Sequence, residues 1–197
     1  MGLSIHYNGK FNDEASLLDL IEEAKDVAET FNWEYVTYKN QFPLQDSKDV
    51  ENDKNIYGIS LMPPNCEPIE LCFLANRRMS AEHLLNFWGN TKEGLENKYL
   101  YLISTKTQFA GITTHKIIIK LFRHLFKSGY FKEFEMFDEG GYWETDNEGT
   151  LEVNFKRYNA LIDNFSLALE TIPKETDETF EDYIERVFKK ISKNNNK

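Results

Sequence analysis

With 197 residues, 41% hydrophobic and 14% aromatic, the chain has enough apolar bulk to bury the core of one α+β domain. A formal net charge of −10, from 23 basic and 33 acidic residues, argues against general nucleic-acid binding, which needs a cationic face to displace counterions from phosphates. No apolar run approaches the roughly 18–20 residues that span a bilayer, and Met1-Gly2-Leu3-Ser4-Ile5-His6-Tyr7 has neither the basic nor the apolar segment of a signal peptide, so a cytoplasmic location without membrane association is expected.

Alternation of Leu3, Ile5 and Tyr7 with Ser4, His6 and Asn8 predicts a first strand over residues 3–11. A helix capped by Asn12 or Asp13 follows, with Leu17, Ile21, Ala24 and Phe31 at helical spacing. Residues 33–39 read as a second strand; if it shares a sheet with the first, the helical crossover makes the two parallel. Residues 45–55 are charged and poor in apolar groups, an exposed loop. Strands over 56–62 and 69–74 flank a stiff connection with three prolines, Pro63, Pro64 and Pro68. A short helix is expected at 80–88, and the apolar run 99–105 reads as a central strand.

The helix predicted from Thr113 to Lys127 has a broad apolar face, with Ile118, Phe122 and Leu125 in register. Residues 131–137 form a sixth strand. Leu151, Phe155, Tyr158, Ile162, Phe165, Leu169 and Ile172 make an unbroken helical stripe that Pro173 ends. If that stripe is core, truncating Phe165 to Ala costs on the order of 3–5 kcal/mol. A last helix carries Phe180, Ile184, Val187 and Ile191 before a frayed tail at 193–197. The predicted architecture is one domain over residues 1–192, a mixed sheet of five or six strands packed with three or four helices.

Candidate chemistry concentrates between residues 106 and 147. His115 has the type and position of a general acid or base, and also of a helix-start residue with one ring nitrogen bonded. Lys106, Gln108, Thr113 and Thr114 surround the start of the same helix, where free N–H groups attract anions; simple capping by Thr113 is the plain alternative. Asp138, Glu139, Glu144 and Asp146 share a turn with Gly140, Gly141, Tyr142 and Trp143. Paired carboxylates there suit acid–base work, with Asp138 and Glu139 as partners of His115 and with Tyr142, Trp143 and Glu144 facing a ligand. The plain alternative is an acidic turn whose Asn147 or Thr150 caps the next helix. The basic row Lys116, Lys120, Arg123 and Lys127 reads as a solvated helix face.

No cofactor motif emerges, and the acids lack the spacing of a calcium loop, so no metal is expected. Cys66 and Cys72 have the spacing of neither a zinc knuckle nor a redox pair. Cys72 and Arg78 match the C-x5-R spacing of a phosphatase loop, but the residues between them contain no glycine and Cys72 lies in an apolar strand.

Three segments resemble those of uncharacterised bacterial proteins of similar length: Gly2-Leu3-Ser4-Ile5-His6-Tyr7, Lys106-Thr107-Gln108 with His115, and Asp138-Glu139-Gly140-Gly141-Tyr142-Trp143-Glu144-Thr145. That resemblance implies no activity. Two readings follow from the residues. The first is a binding or interaction domain whose polar cleft engages a small anionic ligand or a protein partner. The alternative is an enzyme, a hydrolase or transferase acting on a small anion. Under both, the loop 106–111 and the turn 138–145 face each other across the helix that carries His115, and Lys106 pairs with Asp138 or Glu139.

Overall fold

The computed structural model describes residues 2–43, 53–90 and 92–194, so most of the charged loop expected at 45–55, and the end of the tail, lie outside the described residues. Six strands form, as the alternating patterns require, but not in one mixed sheet. They divide into two antiparallel three-stranded sheets.

The first sheet has β1 (Ser4–Phe11) at its centre, between β5 (Ile103–Lys106) and β6 (Phe131–Asp138). Since both neighbours are antiparallel to β1, they run parallel to each other and are joined through α3 (Gly111–Lys127). The second sheet has the order β2 (Glu34–Thr37), β3 (Tyr57–Met62), β4 (Ile69–Phe73). The first two predicted strands therefore do not share a sheet, although α1 (Leu17–Thr30) connects them. The sheets meet along the edge of β1 that β5 leaves open. There Phe11 N–H donates to Arg77 O at 2.8 Å, and Met79 N–H to Gly9 O at 2.8 Å.

Two predicted boundaries move. The run 99–105 is not a central strand: Tyr99 ends the short helix α2 (Leu95–Tyr99), and β5 is a four-residue edge strand. The short helix expected at 80–88 forms as a 3-10 helix, Glu82–Phe87. Ser16, not Asn12 or Asp13, caps α1, accepting from the Asp19 N–H at 3.2 Å.

One apolar core runs through both sheets, α1 and α3, with Ile5, Tyr7, Phe11, Leu20, Ile59, Leu71, Phe73, Ile118 and Phe122 fully enclosed. A smaller cluster lies on the other face of the second sheet, where Cys72 and Leu74 pack with Leu100, Tyr101, Leu84 and Leu85. This double covering explains why Tyr57 to Leu61 are all buried, inward and outward residues alike.

The stripe of α5 (Glu148–Thr171) divides between two jobs. Leu151 and Phe155 enter the main core, while Phe165, Leu169 and Ile172 pack instead with Tyr183 and Val187 of α6 (Phe180–Asn194). Among the described residues, no helix is long and apolar enough to cross a membrane.

Candidate functional site

The register of the first sheet decides which loops meet. Ser4 pairs with Lys106 across one edge of β1, and Ile5 with Asp138 across the other, so β5 and β6 end at the same rim of the sheet on either side of the start of β1. The loop after β5 and the turn after β6 therefore flank the start of α3, and His115 lies between them. Its Nδ1 is 2.8 Å from Thr107 Oγ1 on one side. On the other side its Nε2 is 3.0 Å from Asp138 Oδ1, close but without hydrogen-bond geometry.

Asp138 also organises its own turn. Its Oδ1 accepts from Gly140 N–H at 2.7 Å, and its Oδ2 from Tyr142 N–H at 2.8 Å and Trp143 N–H at 3.1 Å. The carboxylate thus fills the N-terminus of the one-turn helix α4 (Tyr142–Thr145). Burial pushes the Asp138 carboxyl up, but the His115 imidazole and the N–H donors outweigh it and hold the group below the usual carboxylate range.

Both glycines of the turn are needed. A Cβ on Gly140 would lie 2.6 Å from Leu151 Cδ1 and 2.9 Å from His115 Nε2, and Gly141 has φ +72.

α5 closes this node. Phe155 stands edge-on to the His115 ring at 5.5 Å, Asn154 donates to Gly140 O at 3.0 Å, and Asn159 accepts from Gln108 Nε2 at 2.6 Å. Gln108 Oε1 in turn accepts from Leu3 N–H at 2.9 Å. The side chains of His115 and Asp138 have no exposed surface at all. The arrangement can hold three elements together.

The remaining predicted residues scatter around this node. Lys106 does not pair with Asp138 or Glu139: its ammonium lies 5.3 Å from the centre of the Phe109 ring. Glu139 accepts from Ser4 N–H at 2.8 Å and lies 3.7 Å from His6 Nε2. Thr113 is exposed and Thr114 half-buried inside the first turn of α3, which starts at Gly111 with no side-chain cap, so Thr113 is not the N-cap. Tyr142 is buried, Trp143 packs edge-on against Phe134 at 5.8 Å, and Glu144 accepts from Asp138 N–H at 3.1 Å. Asn147 caps α5 through Thr150 N–H at 3.1 Å.

The basic row is not simply solvated. Arg123 donates to Tyr142 O at 2.8 Å and Trp143 O at 3.0 Å and pairs with Asp146, while Lys116 pairs with Glu148.

A second buried carboxylate was not singled out by the sequence pattern. Glu70 of β4 pairs across the strands with Ser60 of β3, whose hydroxyl donates to it, and Ser60 Oγ is 3.6 Å from Cys72 Sγ. Glu70 is 8% exposed, and among the described residues no Lys, Arg or His forms an ion pair with it. It lines a cavity of about 220 Å³ together with Glu67, Pro68, His83 and Ser104. Tyr38 and Glu82 lie beside this cluster, their hydroxyl and carboxylate 3.4 Å apart.

Its only sequence signal is an acid inside the apolar strand Ile69-Glu70-Leu71-Cys72-Phe73. His83 and Ser104 come from distant segments, and no local pattern ties them to it.

Burial, and then the Glu70 charge, push the Cys72 thiol well above its ordinary value, so the thiol stays protonated. Arg78 lies over the Tyr101 ring at 3.4 Å, which leaves no C-x5-R phosphate loop. Cys66 is likewise pushed up, to about 12, mainly by burial. Among the described residues no group of three His, Cys, Asp or Glu side chains is arranged to hold a metal ion.

No family model, curated protein or solved structure matches the chain.

Proposed function

We propose that this protein is a non-catalytic binding domain for a small polar molecule, with the Glu70 cavity as its binding cleft. One observation carries this reading. A buried carboxylate with no cationic partner among the described residues faces a cavity, whereas the carboxylate beside His115 is enclosed and fully engaged. A buried charge left without a partner is unfavourable by several kcal/mol, and a bound molecule is one way to supply the missing contacts.

The cleft also has the mixed lining of a ligand site: two carboxylates, a hydroxyl and an imidazole beside the apolar ring of Pro68. The alternative, an enzyme using His115, Asp138 and Glu139 on a small anion, has less support, since Leu151 and Phe155 cover the first two. A cytoplasmic location belongs to the same reading and is supported by two free cysteines.

A fragment screen followed by amide shifts of labelled protein tests the proposal. Binders are expected to cluster at Glu67, Glu70, His83 and Ser104. A screen whose hits all fall elsewhere, or that yields no hits, would overturn it.

A further inference from the structure

The chemistry of the lining narrows the ligand class. We propose that the Glu70 cleft accepts a small organic monocation, a protonated primary amine on a short alkyl stem; this rests on the cleft being a binding site at all. An ammonium group offers three N–H donors and no acceptor. The lining presents acceptors in the Glu70 carboxylate, the Ser104 hydroxyl and the Glu67 carboxylate, with the His83 imidazole beside them. One Glu67 oxygen already takes the Lys106 N–H at 2.8 Å, which fixes that side chain and leaves its other oxygen for a ligand. Ser60 donates to one Glu70 oxygen, and the Cys72 thiol also hydrogen-bonds the Glu70 carboxylate.

Charge argues in the same direction. Glu67 and Glu70 line the site, and among the described residues neither has an ion-pair partner. An anion entering here would meet carboxylates with no fixed cation to offset them. A cation would supply the charge that Glu70 lacks, in a buried setting where a charge-assisted hydrogen bond is about twice as strong as a neutral one.

The volume sets the size. About 220 Å³ equals roughly seven waters at their share of liquid volume, which suits an amine of a few carbon atoms. Pro68 provides an apolar wall for the stem. A metal ion fits less well, because the described residues hold no cluster of three suitable ligands.

Three four-carbon probes test this: 1-butylamine, 1-butanol and butyrate, each titrated by calorimetry and by amide shifts at residues 67, 69, 70, 83 and 104. Butylamine is expected to shift these amides saturably while the alcohol and the acid do not. Glu70→Gln, which keeps an acceptor for Ser60 but removes the charge, is expected to weaken butylamine at least about tenfold. Glu67→Gln lies at the exposed rim, so it tests the same point without disturbing the strand pair, and a several-fold loss is expected there. Alcohol or acid binding as tightly as the amine would overturn the cationic ligand and leave the cleft reading standing. Silence from all three probes would overturn both. Unchanged amine binding in both variants would also overturn the proposal.

Discussion

Asp138 and Glu70 are both buried carboxylates at the rims of antiparallel sheets, yet their surroundings differ in kind. Asp138 has an imidazole, three backbone N–H donors and a helix packed over it. Glu70 has one hydroxyl donor, a protonated thiol nearby and a cavity in front of it. The difference teaches that a dense group of acids, glycines and aromatics can be a latch. A lone acid in an apolar strand can be the buried end of a site. Burial does not separate the two cases. What separates them is whether the protein itself completes the carboxylate's contacts.

The largest effect should come from removing the lid of the latch. Phe155 is 3% exposed and stands edge-on to His115, so Phe155→Ala is expected to lose about 3–5 kcal/mol in urea unfolding. Phe165, half-buried against Phe188 at 5.0 Å in the α5–α6 pair, is expected to lose only about 1–2 kcal/mol, less than a core position on the same stripe would. Equal losses at the two positions would break the distinction between the two halves of α5.

A smaller effect is expected at Gly140. An added methyl meets Leu151 and the His115 ring, so Gly140→Ala should cost about 1–3 kcal/mol through overpacking of the node. A neutral result would mean that the turn does not press on His115 as described.

Much of the fold was legible locally and little of it globally. The periodicities of residues 3–11, 113–127 and 151–172 correspond to real elements because burial of one face imposes them. Strand partners are another matter. That β1 pairs with β5 and β6 but not with β2 is set by contacts about a hundred residues apart in sequence, such as Phe11 with Phe131. Nothing in a single strand's pattern encodes its neighbour.

The candidate site divides the same way. His115, Asp138 and the two glycines stood out by residue type. Their enclosure depends on Leu151 and Phe155, which the pattern alone assigns only to a helix face. Glu70 carries no further local signal because its surroundings, Ser60, His83 and Ser104, come from β3, the 82–87 segment and β5.

The most direct test places the two carboxylates side by side: urea unfolding of Asp138→Asn and Glu70→Gln at pH 7 and again across the acid range. At pH 7 Asp138→Asn is expected to lose about 3 kcal/mol or more, since it leaves a buried imidazole without its anion, while Glu70→Gln stays within about 1 kcal/mol of the parent or gains stability. Because the folded-state pKa of Asp138 is lowered, its contribution is complete above the unfolded value of 3.8 and is lost as pH falls through the folded one. The deficit of Asp138→Asn should therefore hold near neutrality and close only below about pH 4. A Glu70→Gln loss as large as that of Asp138→Asn, or a deficit of Asp138→Asn that does not close in acid, would contradict the account.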